Sequence, residues 1–89
     1  MIKYSVKGLT FGSEKKIFNT ASEAIDFAFH AYGYDNECKI FLEDTQGSGG
    51  TELAYQWLNK IHVSRIAGSY FIESVKEYIK NNGWPYSYV

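Results

Sequence analysis

The sequence predicts an α+β domain of two layers, in which a small, mainly antiparallel sheet carries two or three helices on one face. Three observations carry this prediction: a period-2 strand pattern near the N-terminus, two segments with helical apolar periodicity, and a globular composition of 45% hydrophobic and 21% charged residues. Because 89 residues are too few for two hydrophobic cores, residues 1–89 are expected to form a single domain. The predicted order is β-β-α-β-(α or β)-α, with three strands and three helices as first choice.

The first nineteen residues are predicted to form a β-hairpin. Ile2, Tyr4 and Val6 alternate with lysine and serine, which is the period of a strand with one solvated face. The apolar phase changes after Gly8, which indicates a bulge or twist there, and residues 12–14 supply a turn before the second strand.

A helix is predicted from about residue 21. Thr20 and Glu23 have the spacing of a capping box, and Gly33 is placed to end the helix. Its apolar stripe consists of Ala21, Ala24, Ile25, Ala28, Phe29 and Tyr32. Beyond it, Cys38, Ile40 and Leu42 alternate with Lys39 and Glu43, and Phe41 adds an apolar residue on the second face, which indicates a more central strand.

The segment 51–68 is ambiguous. A helical stripe with Thr51 as N-cap fits this segment, and so does the alternation of a strand. The helix is favoured for residues 52–61. Residues 62–68 fit either a frayed helix end or a short strand. The two competing patterns are Leu53, Ala54, Trp57, Leu58 and Ile61 for the helix, and Leu53, Tyr55 and Trp57 for the strand. A last helix is expected to begin at Ser69 and to stop at Gly83.

Charge and composition argue against several function classes. Nine basic and ten acidic residues give a net charge of −1, which disfavours a conventional DNA-binding domain. One cysteine and two histidines predict no disulfide, metal site or cofactor. Asp26 and His30 stand four apart on a helix, but no nucleophile is placed beside them, so they are interpreted as a surface pair and no enzyme is expected. With neither a bilayer-spanning run nor a signal peptide, the expected location is cytoplasmic and no membrane partner is expected.

Sixteen aromatic residues are the unusual feature of the composition. Phe27 lies about 200° from Ile25 around the predicted helix and should point away from the core, where either a second layer covers it or it anchors an interface. The C-terminal aromatics at 84, 86 and 88 would share one face of an extended segment, which either folds back to close the core or meets a partner. The candidate partner-binding residues are Phe27, His30, Trp84, Tyr86 and Tyr88.

These observations predict a small cytosolic module that binds another protein as an inhibitor or regulator. Single-domain inhibitors and antitoxins of phages or other mobile elements share this size and composition, although no motif supports that class, and a homodimer remains open. The alternative is a nucleic-acid-binding domain that uses Lys3, Lys7, Lys15 and Lys16 together with aromatics of the sheet and tail. A third candidate function is anion or nucleotide binding at the Gly-rich loop, which consists of Gln46, Gly47, Ser48, Gly49, Gly50 and Thr51.

Overall fold

Two helices and six strands make up the described part of the chain, which confirms the predicted α+β class. The structure is a computed structural model that describes residues 3–10, 12–33, 36–43 and 50–89. In chain order the elements are β1 (Tyr4–Gly8), β2 (Lys16–Phe18), α1 (Ala21–Tyr32), β3 (Cys38–Glu43), β4 (Gly50–Trp57), β5 (Lys60–Val63), α2 (Ser69–Asn82) and β6 (Ser87–Tyr88). Within these ranges, neither helix has the length and apolar character needed to cross a bilayer.

The strands form one sheet in the order β2-β1-β3-β4-β5-β6. All neighbours are antiparallel except β5 and β6, which run parallel. The predicted N-terminal hairpin is present, and Gly8 continues the regular register of β1 opposite Cys38. Of the bulge or twist expected at Gly8, the bulge is therefore wrong. Glycine is needed there because a Cβ would overlap the ring of Tyr32 in α1.

Helix α1 begins where the capping box predicts. Thr20 accepts a hydrogen bond from the backbone N–H of Glu23 at 3.2 Å and donates its hydroxyl to the carboxylate of Glu23 at 2.9 Å. The first bond satisfies a backbone N–H that a helix start otherwise leaves unpaired, and the second holds the two side chains together. The predicted stripe is buried from Ala21 to Phe29, so α1 packs this face on the sheet.

The segment 50–63 is a β-hairpin, so the helix favoured for residues 52–61 is wrong. Strands β4 and β5 are joined by Leu58 and Asn59, whose φ angles of 56° and 58° lie in the left-handed region. Two such residues form the tight turn that matches the twist of paired strands. A leucine at the first turn position is not a recognised hairpin signal, whereas the apolar residues of β4 fit helical spacing as well as strand alternation.

The core lies between the sheet and the two helices. The rings of Phe29 in α1 and Tyr78 in α2 stack with centroids 5.5 Å apart, and Tyr4 of β1 stacks on Phe71 of α2 at 6.3 Å. Both helices therefore cover the same face of the sheet, as predicted. Strand β6 folds back along β5, and Val89 donates its backbone N–H to the carbonyl of Ile61.

Candidate functional site

The sheet face opposite the helices has no element over it in the described ranges. Tyr4 and Val6 are buried under the helices, so the alternating residues of each strand project to the other side. We call this side the open face. Its described side chains are Ser5, Lys7, Lys15, Ile17, Lys39, Phe41, Glu43, Glu52, Tyr55, Trp57, Lys60 and His62.

Strand register places the apolar side chains of the open face in neighbouring rows. One row runs across four strands as Ile17, Ser5, Phe41 and Glu52. The adjacent row runs as Lys7, Lys39, Tyr55 and His62. Trp57 follows Tyr55 on the same side of β4 and lies opposite Lys60. Cross-strand neighbours of this kind are within contact distance, so the rows form one continuous surface.

Large apolar side chains on this surface are accessible. Ile17 is 54% exposed and Trp57 is 42% exposed, while Phe41 and Tyr55 are half-buried. Ser5 lies between Ile17 and Phe41 and is fully buried, and its hydroxyl has no hydrogen-bond partner among the described residues. The centre of the open face is thus apolar, and its accessible part is aromatic and aliphatic.

Acidic and basic groups on the open face neutralise one another in pairs. Lys15 Nζ lies 2.8 Å from Glu43 Oε1, and Lys39 Nζ lies 2.9 Å from Glu52 Oε1. Lys7 and Lys60 are exposed and make no ion pair within the described part of the chain. The open face therefore carries a small positive excess rather than the basic field that a polyanion requires.

The four lysines proposed as nucleic-acid contacts do not form one patch. Lys7 and Lys15 lie on the open face, and Lys3 is exposed just before β1. Lys16 lies opposite Val6 in the edge strand β2, so it projects to the helix side of the sheet. Because Lys3 pairs with Glu43 through its backbone and alternates in phase with Ser5 and Lys7, it lies on the side of the open face. Lys16 is therefore the lysine that the fold separates from the other three.

Phe27 points away from the Ile25 stripe, as its helical phase indicates, but β2 covers it. Its ring packs against Phe18 at 5.2 Å and against Tyr32 at 6.0 Å between centroids. The side chain is half-buried at the margin of the core. Of the two alternatives, the structure shows the covered one, so Phe27 is not a fully exposed side chain, and its contact with a partner stays a prediction.

The C-terminal aromatics divide between core and solvent. Tyr86 packs its ring on Phe29 at 4.6 Å and on Tyr78 at 5.8 Å, so the tail closes the core there. Tyr88 is 43% exposed with Lys76 Nζ 5.8 Å from its ring centroid, whereas Trp84 is 93% exposed. The three do not share one face, because the chain turns at Trp84 and Pro85 before β6 begins.

Asp26 and His30 form part of a larger polar cluster that includes α2. His30 Nδ1 lies 3.3 Å from Asp26 Oδ1, and the Tyr78 hydroxyl donates to the same carboxylate oxygen at 3.0 Å. The pKa of Tyr78 is raised above its ordinary value, mainly because the hydroxyl is removed from solvent and secondly because it donates this hydrogen bond. The carboxylate and imidazole are both exposed, so the surface pair that the spacing predicts is present and also ties the two helices together.

Cys38 is buried on the helix side of β3, as predicted. Its Sγ donates to Gln56 Oε1 at 3.6 Å, and Gln56 Nε2 donates to the carbonyl of Gly33 at 3.3 Å. Burial raises the pKa of Cys38 to about 12. A thiol of that pKa is not a nucleophile at neutral pH.

The Gly-rich loop is described only at its end. Gln46, Gly47, Ser48 and Gly49 lie outside the described residues. Gly50 and Thr51 begin β4 opposite Glu43 and Leu42, and a Cβ at Gly50 would overlap the backbone of Leu42. This glycine therefore allows a close approach of two strands rather than belonging to a free loop.

The sequence reasoning missed the residues at the centre of the open face. Phe41 was noted only as a second-face residue of a central strand, and Tyr55 and Trp57 were assigned to a helix. The signal that could have located them is the alternation of Leu53, Tyr55 and Trp57, which was the less favoured alternative.

Comparison of the chain with protein-family models, curated proteins and solved structures found no match. Among the described residues, no group of three or more His, Cys, Asp or Glu side chains is arranged to hold a metal ion. The geometry of the open face is therefore the basis for the functional proposal.

Proposed function

We propose that this chain is a small protein-binding module, an inhibitor or regulator of a larger cytosolic protein, and that it binds through the open face. The observation that carries the proposal is the set of accessible apolar side chains on that face, with Ile17 exposed on the edge strand β2 and Trp57 exposed at the end of β4. Exposed aromatic and aliphatic side chains gathered on one surface are typical of protein interfaces, in which tryptophan is a frequent energetic anchor.

The size of the face suits an interface at the small end of the usual range. Five strands spaced about 4.8 Å apart, with an average length of about 17 Å, present a flat projection on the order of 400 Å². Side-chain relief increases the accessible area above this projection, and a standard interface buries about 800 Å² on each partner. We therefore expect a reversible complex whose affinity depends on a few central side chains.

The charge pattern specifies the partner's chemistry. Because Glu43 and Glu52 are paired with lysines, the groups left to meet a partner are apolar at the centre and cationic at Lys7 and Lys60. A partner surface with an apolar centre and one or two carboxylates at its rim would complement this pattern. Such rim charges mainly increase the association rate and the selectivity of binding.

The test uses matched variants at exposed positions. Tagged wild type captures proteins from an extract of its source cells, and quantitative mass spectrometry compares this capture with that of Trp57→Ala and Ile17→Ser. Both variants should lose the specific partner, because they remove the two most accessible apolar side chains of the open face. Ile66→Ser is the control, since this side chain is 70% exposed and lies in the segment between β5 and α2, and Trp84→Ala, at a side chain 93% exposed, tests the C-terminal tail.

The Trp84→Ala variant also separates the two candidate surfaces. If Trp84→Ala loses the partner while Trp57→Ala retains it, the tail predicted from the sequence is the binding surface and the open face is not. If all four variants capture the same proteins at equal yield, neither surface binds.

Two further readouts test the alternative functions. Analytical ultracentrifugation identifies a second copy of the chain as the partner if wild type is a dimer and Ile17→Ser a monomer. Binding to single-stranded nucleic acid that falls steeply with salt, and that Lys7→Glu abolishes, would instead favour the nucleic-acid alternative.

A further inference from the structure

On the helix side of the sheet, the two helices begin beside a pocket of about 380 Å³. Tyr4, Leu53 and Phe71 are buried residues that form its floor, and Leu42 and Ala67 are half-buried at its walls. Asn19, Thr20 and Tyr70 form the exposed rim. The open face lies on the other side of the sheet, so this pocket is separate from the proposed protein-binding surface.

The volume and lining are those of a small-molecule site. Protein interiors leave few voids larger than a water molecule, and an engineered cavity of about 150 Å³ already accommodates benzene. The pocket is more than twice that size, at 380 Å³, and its floor and walls are aromatic and aliphatic. One ring with a short side chain would fill it.

Tyr4 provides an unused polar group inside this apolar pocket. The residue is only 6% exposed, but its hydroxyl oxygen keeps some access to solvent and makes no hydrogen bond to another described residue. The pKa of Tyr4 is raised, mainly by burial and secondly by the electrostatic effect of the neighbouring Tyr70. The hydroxyl therefore retains its proton and is available as a donor. A ligand oxygen in the pocket can accept a hydrogen bond from this donor in place of water.

The start of α2 adds further donors at the same place. Gly68 precedes the helix and no side chain caps it, so the N–H groups of the first turn have no intrahelical acceptor. Two residues of that turn, Tyr70 and Phe71, line the pocket. The helix dipole also favours negative charge at this end.

From the apolar hollow, the unpartnered Tyr4 hydroxyl and the uncapped start of α2, we propose that this pocket binds a small carboxylate with an apolar, ring-bearing body. The ring occupies the space between Leu53, Phe71 and Ala67. The carboxylate lies toward the rim, where it accepts hydrogen bonds from Tyr4 and from the first turn of α2. Recognition thus requires both the ring and the charge.

The test is a titration of the ¹⁵N-labelled chain with 3-phenylpropanoate, followed by amide chemical shifts. Saturable shifts at Ala67, Tyr70 and Phe71 are expected, with a Kd on the order of 1 mM or tighter for a ligand of this size. The neutral 3-phenylpropanamide and the ringless acetate should each bind at least about tenfold more weakly. Equal binding of either comparison compound would overturn the proposed ligand class.

Three variants locate the site. Tyr4→Phe keeps the ring and should weaken binding about tenfold, as expected for loss of one hydrogen bond to a charged group. Ala67→Trp fills the pocket from its wall and should abolish binding. Trp57→Ala, on the open face, should leave the Kd unchanged, so a failure of the protein-binding proposal is distinguishable from a failure of this one.

The dispersion of the remaining amide signals shows whether each variant is folded. If Ala67→Trp disrupts the fold, Tyr4→Phe alone decides the outcome. An absence of saturable shifts in wild type, or an unchanged Kd in folded Tyr4→Phe, would refute the site.

Discussion

The hydroxyl of Tyr78 donates a hydrogen bond to Oδ1 of Asp26 at 3.0 Å, and so joins α2 to α1. The same Tyr78 ring stacks on Phe29 of α1 with an interplanar angle of 5°. His30 Nδ1 lies 3.4 Å from the Tyr78 hydroxyl. One side chain therefore links the helix pair by both apolar stacking and a polar contact.

We predict that the contact between Tyr78 and Asp26 stabilises the fold by about 1 kcal/mol, the usual net contribution of a hydrogen bond. A double-mutant cycle of Tyr78→Phe and Asp26→Ala, measured by urea unfolding at pH 7, should give a coupling energy of about 0.5–1.5 kcal/mol. Tyr70→Phe is the matched control on the same helix, because Tyr70 is 69% exposed. Additive effects of the two substitutions would show that the contact contributes nothing.

The buried thiol of Cys38 should make stability depend on alkaline pH. Its pKa is raised from 9.0 to about 12, so above pH 9 the unfolded chain releases a proton that the folded chain keeps. Stability is fully present below pH 9 and falls as the pH rises toward 12. At pH 10.5 the loss from this group is roughly 2 kcal/mol.

Urea unfolding at pH 8 and pH 10.5 tests this for wild type and Cys38→Ala. Tyrosines contribute to the pH dependence of both chains, so the difference between them isolates the cysteine. Wild type should lose about 2 kcal/mol more than the variant. Equal losses would mean that the native thiol ionises as readily as the unfolded one.

We expect Leu58→Asn to stabilise the β4–β5 hairpin by about 0.5–1 kcal/mol. Leu58 has a φ of 56°, a conformation that asparagine adopts more readily than leucine. Asn59→Ala is the complementary variant and should destabilise, since Asn59 has a φ of 58°. Thermal unfolding measures both. A lower Tm for Leu58→Asn would show that the apolar contacts of Leu58 outweigh its backbone strain.

Gly8→Ala should destabilise the fold by about 1–3 kcal/mol, the usual range for overpacking. The added methyl group overlaps the ring of Tyr32, which lies against β1 at the end of α1. Chemical denaturation of Gly8→Ala alone and with Tyr32→Ala measures the effect. Gly8→Ala should lower the free energy of unfolding by less in the Tyr32→Ala background, because the overlapping ring is absent there. An equal cost in both backgrounds would locate the strain elsewhere.

Elements with local signals were predicted correctly from the sequence. The capping box at Thr20 and the stripe that follows it place α1, because the cap and the 3.6-residue period lie within one segment. The alternation around Tyr4 and around Ile40 likewise placed two strands. Segment 51–63 was not resolved, because its turn is formed by Leu58 and Asn59, and neither residue identifies a left-handed turn as glycine would.

In the candidate site, too, features set by one segment were predicted and features set by several segments were not. Single residues were assessed correctly where burial follows from one segment, as for Cys38 in its strand. The exposure of Phe27 in α1 could not be predicted, because the side chain that covers it, Phe18, belongs to strand β2. The sequence predicted a solvated sheet face but not its apolar side chains, because these are brought together only once the register aligns β2, β1, β3, β4 and β5.

The sequence by itself determined the α+β class, the two flanking helices and the surplus of aromatic residues. Only the tertiary structure decided which aromatics are buried: Tyr86 closes the core, Trp84 projects into solvent, and Trp57 lies on an uncovered sheet. The physical reason is that strand periodicity specifies two faces but not which of them the helices cover. That choice depends on packing between segments distant in the chain, such as Tyr4 against Phe71.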